Sequence, residues 1–305
     1  MQTVGRFAPS PSGRMHLGNV LCALLAWLSA RHQNGAFLLR IEDLDAIRCP
    51  RSYADLIMDD LRWLGLDWDG EVPYQSERAP IYEKYEQILR EKGLLYPCFC
   101  SRAALHAASA PHLSDGRVLY AGTCRELTPA EIEEKRKKRA PATRVRVPDE
   151  IISFTDGVFG AYSENLAEEC GDFIIRRSDG VFAYQLAVTV DDGLSGVTEV
   201  VRGSDLISST PRQIWLYRLF GFEPPHFVHI PLLCDVDGRR LSKRDEDLDL
   251  GLLRERFTPE QVIGALAFAA HLTDRAEPAS VRELVQDFDW SRIPRHELCL
   301  PPMFR

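Results

Sequence analysis

The chain has 305 residues, 45% of them hydrophobic and 27% charged, with a formal net charge of −8. That composition is of the soluble globular class, with room for one large domain or two smaller ones. An acidic balance argues against a surface that binds nucleic acid indiscriminately, although a local basic patch is enough to hold RNA. The apolar run 20–28 ends at Arg31 and His32, well short of the roughly 20 apolar residues of a membrane span. Residues 1–14 lack the apolar stretch of a secretion signal. A buried helix, no membrane partner and a cytoplasmic location are expected.

In chain order, the pattern predicts a strand over 4–8, a loop over 9–13 and a helix over 17–31. In that helix Leu17, Val20, Leu21, Leu24, Leu25 and Leu28 recur with helical period. A strand over 36–41 completes a βαβ unit, which predicts a parallel sheet. Helices near 53–64 and 81–92 follow. At Pro97 the character changes: a Cys-rich start, a basic helix over 129–139 and strands over 142–147, 151–155 and 173–177 read as an insertion. A strand over 197–201 and a helix over 210–220 restore the α/β pattern. After Lys243, 62 residues remain, helical in pattern, with apolar clusters at 262–268 and 281–288. The expected fold class is α/β: a Rossmann-like parallel sheet, an inserted α+β domain and a short helical C-terminal segment. The expected division is 1–96 and 184–238 for the two halves of the catalytic domain, 97–183 for the insertion, and 239–305 for a cationic loop and the helical segment.

Two stretches carry chemistry. Residues 9–19, from Pro9 through Ser12 to His16, Leu17, Gly18 and Asn19, lie after the first strand and open the first helix. A helix N-terminus offers free N–H groups and a positive dipole end to a polyphosphate. Gly18 would admit a nucleotide close to the backbone, and His16 could donate to a phosphate oxygen as charge builds. The second is Arg239, Arg240, Leu241, Ser242, Lys243 and Arg244, a set of cations able to close over a triphosphate. Taken alone, the first is also compatible with an ordinary loop and the second with a solvated surface.

Together they resemble the two signatures of the class I aminoacyl-tRNA synthetases, His16-Leu17-Gly18-Asn19 and Leu241-Ser242-Lys243. Residues 6–10, 39–45 and 201–206 are similar to the glutamyl and glutaminyl branch. Asn19 replaces the second histidine of the general motif, Leu241 its Met and Arg244 its final Ser. The resemblance implies glutamate activation with ATP and Mg²⁺, with His16 and Lys243 catalytic and Pro9, Ser12, Gly18, Asn19, Leu241 and Ser242 around ATP. It implies an amino-acid pocket of Arg6, Ala8, Ser10, Glu42, Tyr184 and Arg202. These residue types suit glutamate, since guanidinium forks pair with carboxylates, Glu42 can accept from an ammonium and Tyr184 adds a hydroxyl.

Cys98, Cys100 and Cys124 lie close together, and their spacing alone leaves a metal site and three buried thiols both open. The other five cysteines, Cys22, Cys49, Cys170, Cys234 and Cys299, read as reduced core residues. The resemblance to the short stand-alone paralogues of the glutamyl enzymes favours structural Zn²⁺ on Cys98, Cys100, Tyr120 and Cys124, with His106 and His112 as other possible fourth ligands. The basic helix at 134–139 reads as a solvated face rather than an RNA contact. Full-length glutamyl enzymes carry a large anticodon-binding region after the cationic loop, for which 62 residues are too few. The family of short paralogues implies instead queuosine-bearing tRNA(Asp) as acceptor and a monomer. A truncated enzyme charging a tRNA 3′ end, a small-molecule adenylyltransferase of the same fold and a catalytically silent RNA-binding module are the alternatives.

Overall fold

In the computed structural model of the chain, residues 2–101, 119–234, 249–300 and 302–304 are described. Strand β1 (Val4–Phe7) runs parallel to β2 (Ala36–Leu39), with Val4 opposite Ala36 and Phe7 opposite Leu39, and α1 (Leu17–His32) makes the crossover. Helix α1 is buried on every side, since Ala23, Ala26 and Ala30 fill the faces that its leucines leave. A helix apolar all round belongs at the centre of a molecule, and the principal core forms around it. Arg31 and His32 in its last turn meet the negative end of the helix dipole. Helices α2 (Arg51–Trp63) and α3 (Ala79–Glu91) are one-sided, each burying a single stripe.

Strand β3 (Leu95–Cys98) follows, and α4 (Pro129–Arg136) starts in a capping box between Thr128 and Glu131. The basic end of α4 is exposed, with Arg136 on Glu133 and Lys137 on Glu134. Strand β4 (Ala142–Val145) pairs antiparallel with β3 on one side and β7 (Phe173–Arg176) on the other. Between them β5 (Ile151–Asp156) and β6 (Gly160–Asn165) form a hairpin. Helix α5 (Tyr184–Leu194) leads to β8 (Glu199–Gly203), then to α6 (Thr210–Phe220) and β9 (His226–Ile230), parallel to β8. Strand β8 lies beside β1, where the Thr198 N–H donates to the Val4 carbonyl at 2.9 Å. Strand β10 (Leu233–Cys234) pairs with the late β11 (Leu298–Cys299), and α7 (Leu250–Arg256), α8 (Pro259–Ala269) and α9 (Val281–Leu284) lie between them in sequence.

The parallel pairing of the first βαβ unit is as expected. Strands β3, β6, β9, β10 and β11 and helix α5 had no predicted counterpart, and the cluster at 281–288 supplies a helix only over Val281–Leu284. Among the five outlying cysteines, Cys49 and Cys234 are buried, but Cys22 and Cys170 are partly buried and Cys299 is exposed. The expectation of a core residue fails at Cys299 because β11 is a two-residue edge strand.

One buried carboxylate joins the N-terminal loop to the C-terminal helices. Asp60 of α2 receives Arg14 through Nε and Nη2 at 3.1 and 2.8 Å and Arg254 of α7 at 2.7 Å. The backbone of Asp249, at the head of α7, bridges that of His16.

Candidate active site and cysteine cluster

A cavity of about 340 Å³ opens where β1 and β8 end and α1 begins. Open α/β sheets place ligands at the carboxyl ends of their parallel strands, beside a helix N-terminus. Arg6, Ala8, Pro9, Ser10, His16, Gly18, Asn19, Glu42, Tyr184 and Arg202 all line it, so the two sets of expected residues share one space. Ser12 is not among the lining residues. Leu241, Ser242, Lys243 and the cations around them lie outside the described residues, as do His106 and His112.

His16 is the N-cap of α1. Its Nδ1 accepts from the Gly18 N–H at 3.1 Å, and the Asn19 Oδ1 accepts from the His16 N–H at 3.4 Å. This is a capping box built from His and Asn in place of the usual Ser and Glu. Gly18 has a local reason to be glycine, because a Cβ there would sit 3.1 Å from the imidazole.

Arg6, on β1, gives Nε and Nη2 to the two Asp192 oxygens at 3.4 Å each and Nη1 to the Val201 carbonyl at 3.2 Å. Arg40 gives Nη1 to Asp192 at 2.6 Å and Nη2 to Glu42 at 3.1 Å. All four side chains are buried. Burial opposes the charge of Arg6 and Arg40, yet Asp192 holds both above the ordinary guanidinium range. Burial works against the Asp192 carboxylate too, and the two arginines overcome it and hold its pKa down. For Glu42 burial prevails: its pKa is raised although Arg40 and Arg6 pull the other way.

Arg202, on β8, is equally buried but meets different partners. Its Nε donates to His229 Nε2 at 3.0 Å, its Nη1 to Gln213 at 2.8 Å and to the Tyr184 hydroxyl at 3.4 Å, and its Nη2 to Thr210 at 2.7 Å. No carboxylate pairs with it among the described residues. A guanidinium has five N–H donors, so one remains for a ligand beside these four contacts.

Sequence reasoning missed Asp192, His229 and Asp156, and it named Arg40 only within a motif. A signal existed for Asp192: Asp191 and Asp192 are consecutive acids on the helical run Leu186–Val190, where only a buried partner could justify them.

The three thiols cluster as the metal reading requires. The Cys98, Cys100 and Cys124 sulfurs lie within 4.8 Å of one another, and Cys100 and Cys124 are 3.7 Å apart. That is far beyond a disulfide bond and close to the edge, about 3.8 Å, of a tetrahedron with 2.3 Å metal–sulfur bonds. The Tyr120 hydroxyl lies 3.6 Å from the Cys98 sulfur and accepts from the Cys124 N–H at 2.8 Å. Arg144 donates through Nε to Cys98 at 3.2 Å and covers the Tyr120 ring at 3.7 Å. Burial pushes the Cys98 thiol up, but Arg144, with the Cys100 N–H and the Tyr120 hydroxyl, outweighs it and the pKa falls. The Cys100 thiol, partly buried and beside Cys98, is pushed up to about 11.

Residues 2–291 match the family of class I tRNA synthetases (E and Q), catalytic domain. The chain belongs to this family. The enzyme is therefore a ligase, and its class uses ATP. It is 50% identical to the glutamyl-Q tRNA(Asp) synthetase of Symbiobacterium thermophilum, over 97% of this chain and 95% of the relative. For the glutamyl-Q tRNA(Asp) synthetase of Geobacter sulfurreducens the identity is 49%, over 95% of this chain and 93% of the relative. Among solved structures, the glutamate tRNA ligase of Elizabethkingia meningosepticum, crystallised with its amino acid, superposes with a TM-score of 0.84 at 28% identity, covering 100% of this chain and 68% of that one. The glutamate-tRNA synthetase of Elizabethkingia anophelis gives 0.85 at 28%, with 100% and 69% covered. Among the described residues no helix is long and apolar enough to cross a membrane.

Proposed function

We propose that this enzyme activates glutamate with ATP and transfers it to queuosine in the anticodon loop of tRNA(Asp). The observation that carries the amino acid is the charge pattern of the cavity. Glutamate has two carboxylates and one ammonium, and the part of the cavity proposed to hold it offers two guanidiniums, Arg6 and Arg202, and one carboxylate, Glu42, while Arg14 and Asp205 also line the cavity. Ala8, Ser10 and Tyr184 complete that pocket. The acceptor is supported by similarity to glutamyl-Q tRNA(Asp) synthetases along at least 93% of the length of the two relatives compared.

In the first step a glutamate α-carboxylate oxygen attacks the α-phosphorus of ATP, and pyrophosphate leaves. Such displacements depend on positioning and charge neutralisation more than on a protein base. His16, the α1 N-terminus and Lys243 supply these, with Pro9, Ser12, Gly18, Asn19, Leu241 and Ser242 around the nucleotide; Mg²⁺, when bound with ATP, would supply further charge neutralisation. In the second step a hydroxyl of the queuosine ring attacks the acyl carbon, its proton is lost and AMP leaves. Cys98, Cys100, Cys124 and Tyr120 would hold Zn²⁺, which braces residues 97–183 and takes no part in either step. Boundaries at 96/97, 183/184 and 238/239, a monomer and the cytoplasm belong to the same reading.

The test uses labelled glutamate, ATP and a tRNA(Asp) anticodon stem-loop. The loop with queuosine is labelled, and the same loop with guanosine is not. Label at the 3′ end of intact tRNA(Glu), with none on the loop, overturns the acceptor and leaves glutamate activation standing.

A further inference from the structure

The β5–β6 hairpin reaches out of the insertion and ends against β9. The Gly157 N–H donates to the Phe227 carbonyl at 2.9 Å, and a Cβ on Gly157 would fall 2.8 Å from the Val228 side chain, so only glycine allows this approach. The hairpin thereby buries one carboxylate beneath the cavity wall. Asp156 Oδ1 accepts from the Val158 and Phe159 N–H groups at 3.0 and 2.9 Å. Its Oδ2 accepts from the His229 backbone N–H at 3.0 Å and lies 2.6 Å from the His229 Nδ1. Burial works against the Asp156 charge, and the His229 ring, through its hydrogen bond and its charge when protonated, together with the Phe159 and Val158 N–H groups, holds the pKa low.

A carboxylate beside Nδ1 makes that nitrogen the donor, so the neutral imidazole has its lone pair on Nε2. Nε2 is the atom that faces the Arg202 Nε, at 3.0 Å. Proton and lone pair thus run in one direction, from Arg202 through His229 to Asp156. A carboxylate in direct contact would compete with a ligand for the guanidinium, as Asp192 does at Arg6. Arg202 with neutral partners alone would be a buried charge without compensation, which is costly. The relay gives Arg202 its counter-charge at one remove and fixes the guanidinium by its inner nitrogen.

We propose that Asp156 and His229 are positioning residues for Arg202, so that the insertion hairpin sets the amino-acid pocket through one imidazole. The proposal rests on the reading of Arg202 as the partner of a glutamate carboxylate. It also gives the insertion a part in glutamate activation before any RNA is bound.

ATP–pyrophosphate exchange, with glutamate and ATP varied in turn, tests this on Asp156→Asn, His229→Leu, His229→Gln and Arg202→Gln. Asp156→Asn and His229→Leu should raise KM for glutamate about 10-fold, as expected for one hydrogen bond to a charged group, and leave KM for ATP unchanged. His229→Gln, whose amide oxygen can accept from Arg202, should recover much of that loss. An unchanged KM for glutamate in Arg202→Gln overturns the pocket reading itself. A raised KM there, with both relay variants unchanged, overturns the relay alone. Equal rises for glutamate and ATP in Asp156→Asn would mean a merely structural role. Asp156→Asn is close to isosteric and decides the matter if His229→Leu fails to fold.

Discussion

Arg6 and Arg202 face one cavity from neighbouring strands, but the fold neutralises them in opposite ways. Arg6 shares a buried carboxylate, Asp192, with Arg40, so that wall holds a completed ion network. Arg202 touches an imidazole, an amide and two hydroxyls, and a carboxylate, Asp156, sits behind the imidazole. The first arrangement binds the fold together, since each charge depends on the others. The second leaves an electrostatic demand for a ligand to meet. Two guanidiniums of similar burial on one cavity therefore differ in how the fold compensates them: Arg6 belongs to a buried ion network, whereas Arg202 is held by neutral partners.

The difference can be broken most strongly at Asp192. Asp192→Asn leaves two buried guanidiniums without their shared carboxylate and should cost about 3–5 kcal/mol of stability, read by chemical denaturation. At Arg202 the effect should fall on activity instead. Arg202→Gln should lower kcat/KM for glutamate in pyrophosphate exchange by about 10²-fold or more, the scale of a lost charge pair, while ATP binding persists. A large loss of stability and none of activity there would erase the distinction. Lys243→Ala should reduce the same exchange by a factor on the order of 10² through loss of one transition-state donor. The thiol cluster extends the comparison to a third buried set. Protein purified without added metal should carry about one equivalent of zinc. Cys98→Ser should lower that content and destabilise the insertion while pyrophosphate exchange continues.

The smallest effect is one of pH, and it separates two histidines of β9. Burial lowers the His229 pKa below its ordinary 6.5, outweighing the help of Asp156. Its stabilisation is complete above 6.5 and is lost as pH falls through the folded value. His226 is raised from 6.5 by its hydrogen bond to Glu199. Its contribution is complete below 6.5 and disappears as pH rises through the folded value. Thermal melts from pH 5 to 8 should lose part of their acid sensitivity in His229→Gln and part of their alkaline sensitivity in Glu199→Gln.

What the sequence revealed follows from where the information lies. Helix α1 and the β1–β2 pairing were legible because apolar period and a short crossover are local properties. The motif residues were legible because each stretch is contiguous, and the fold then gathers Arg6, His16, Glu42 and Arg202 around one cavity. Helix α5 was hidden: it is buried from Leu186 to Asp192, and two acids interrupt what should be its apolar face. Its meaning depends on Arg40, 152 residues away from Asp192 in the chain. The Asp156–His229 pair spans 73 residues, and no local pattern marks either member. Cys299 was misjudged because exposure at a two-residue strand is decided by tertiary position.

The cap on α1 has a consequence for proton placement. Because the Gly18 N–H points at Nδ1, that nitrogen must keep its lone pair, and the ring proton belongs on Nε2. The helix thus selects one of two imidazole tautomers before any nucleotide arrives, and the His16 ring presents a donor without having to become an imidazolium. Nitrogen chemical shifts of His16 would read the chosen tautomer directly.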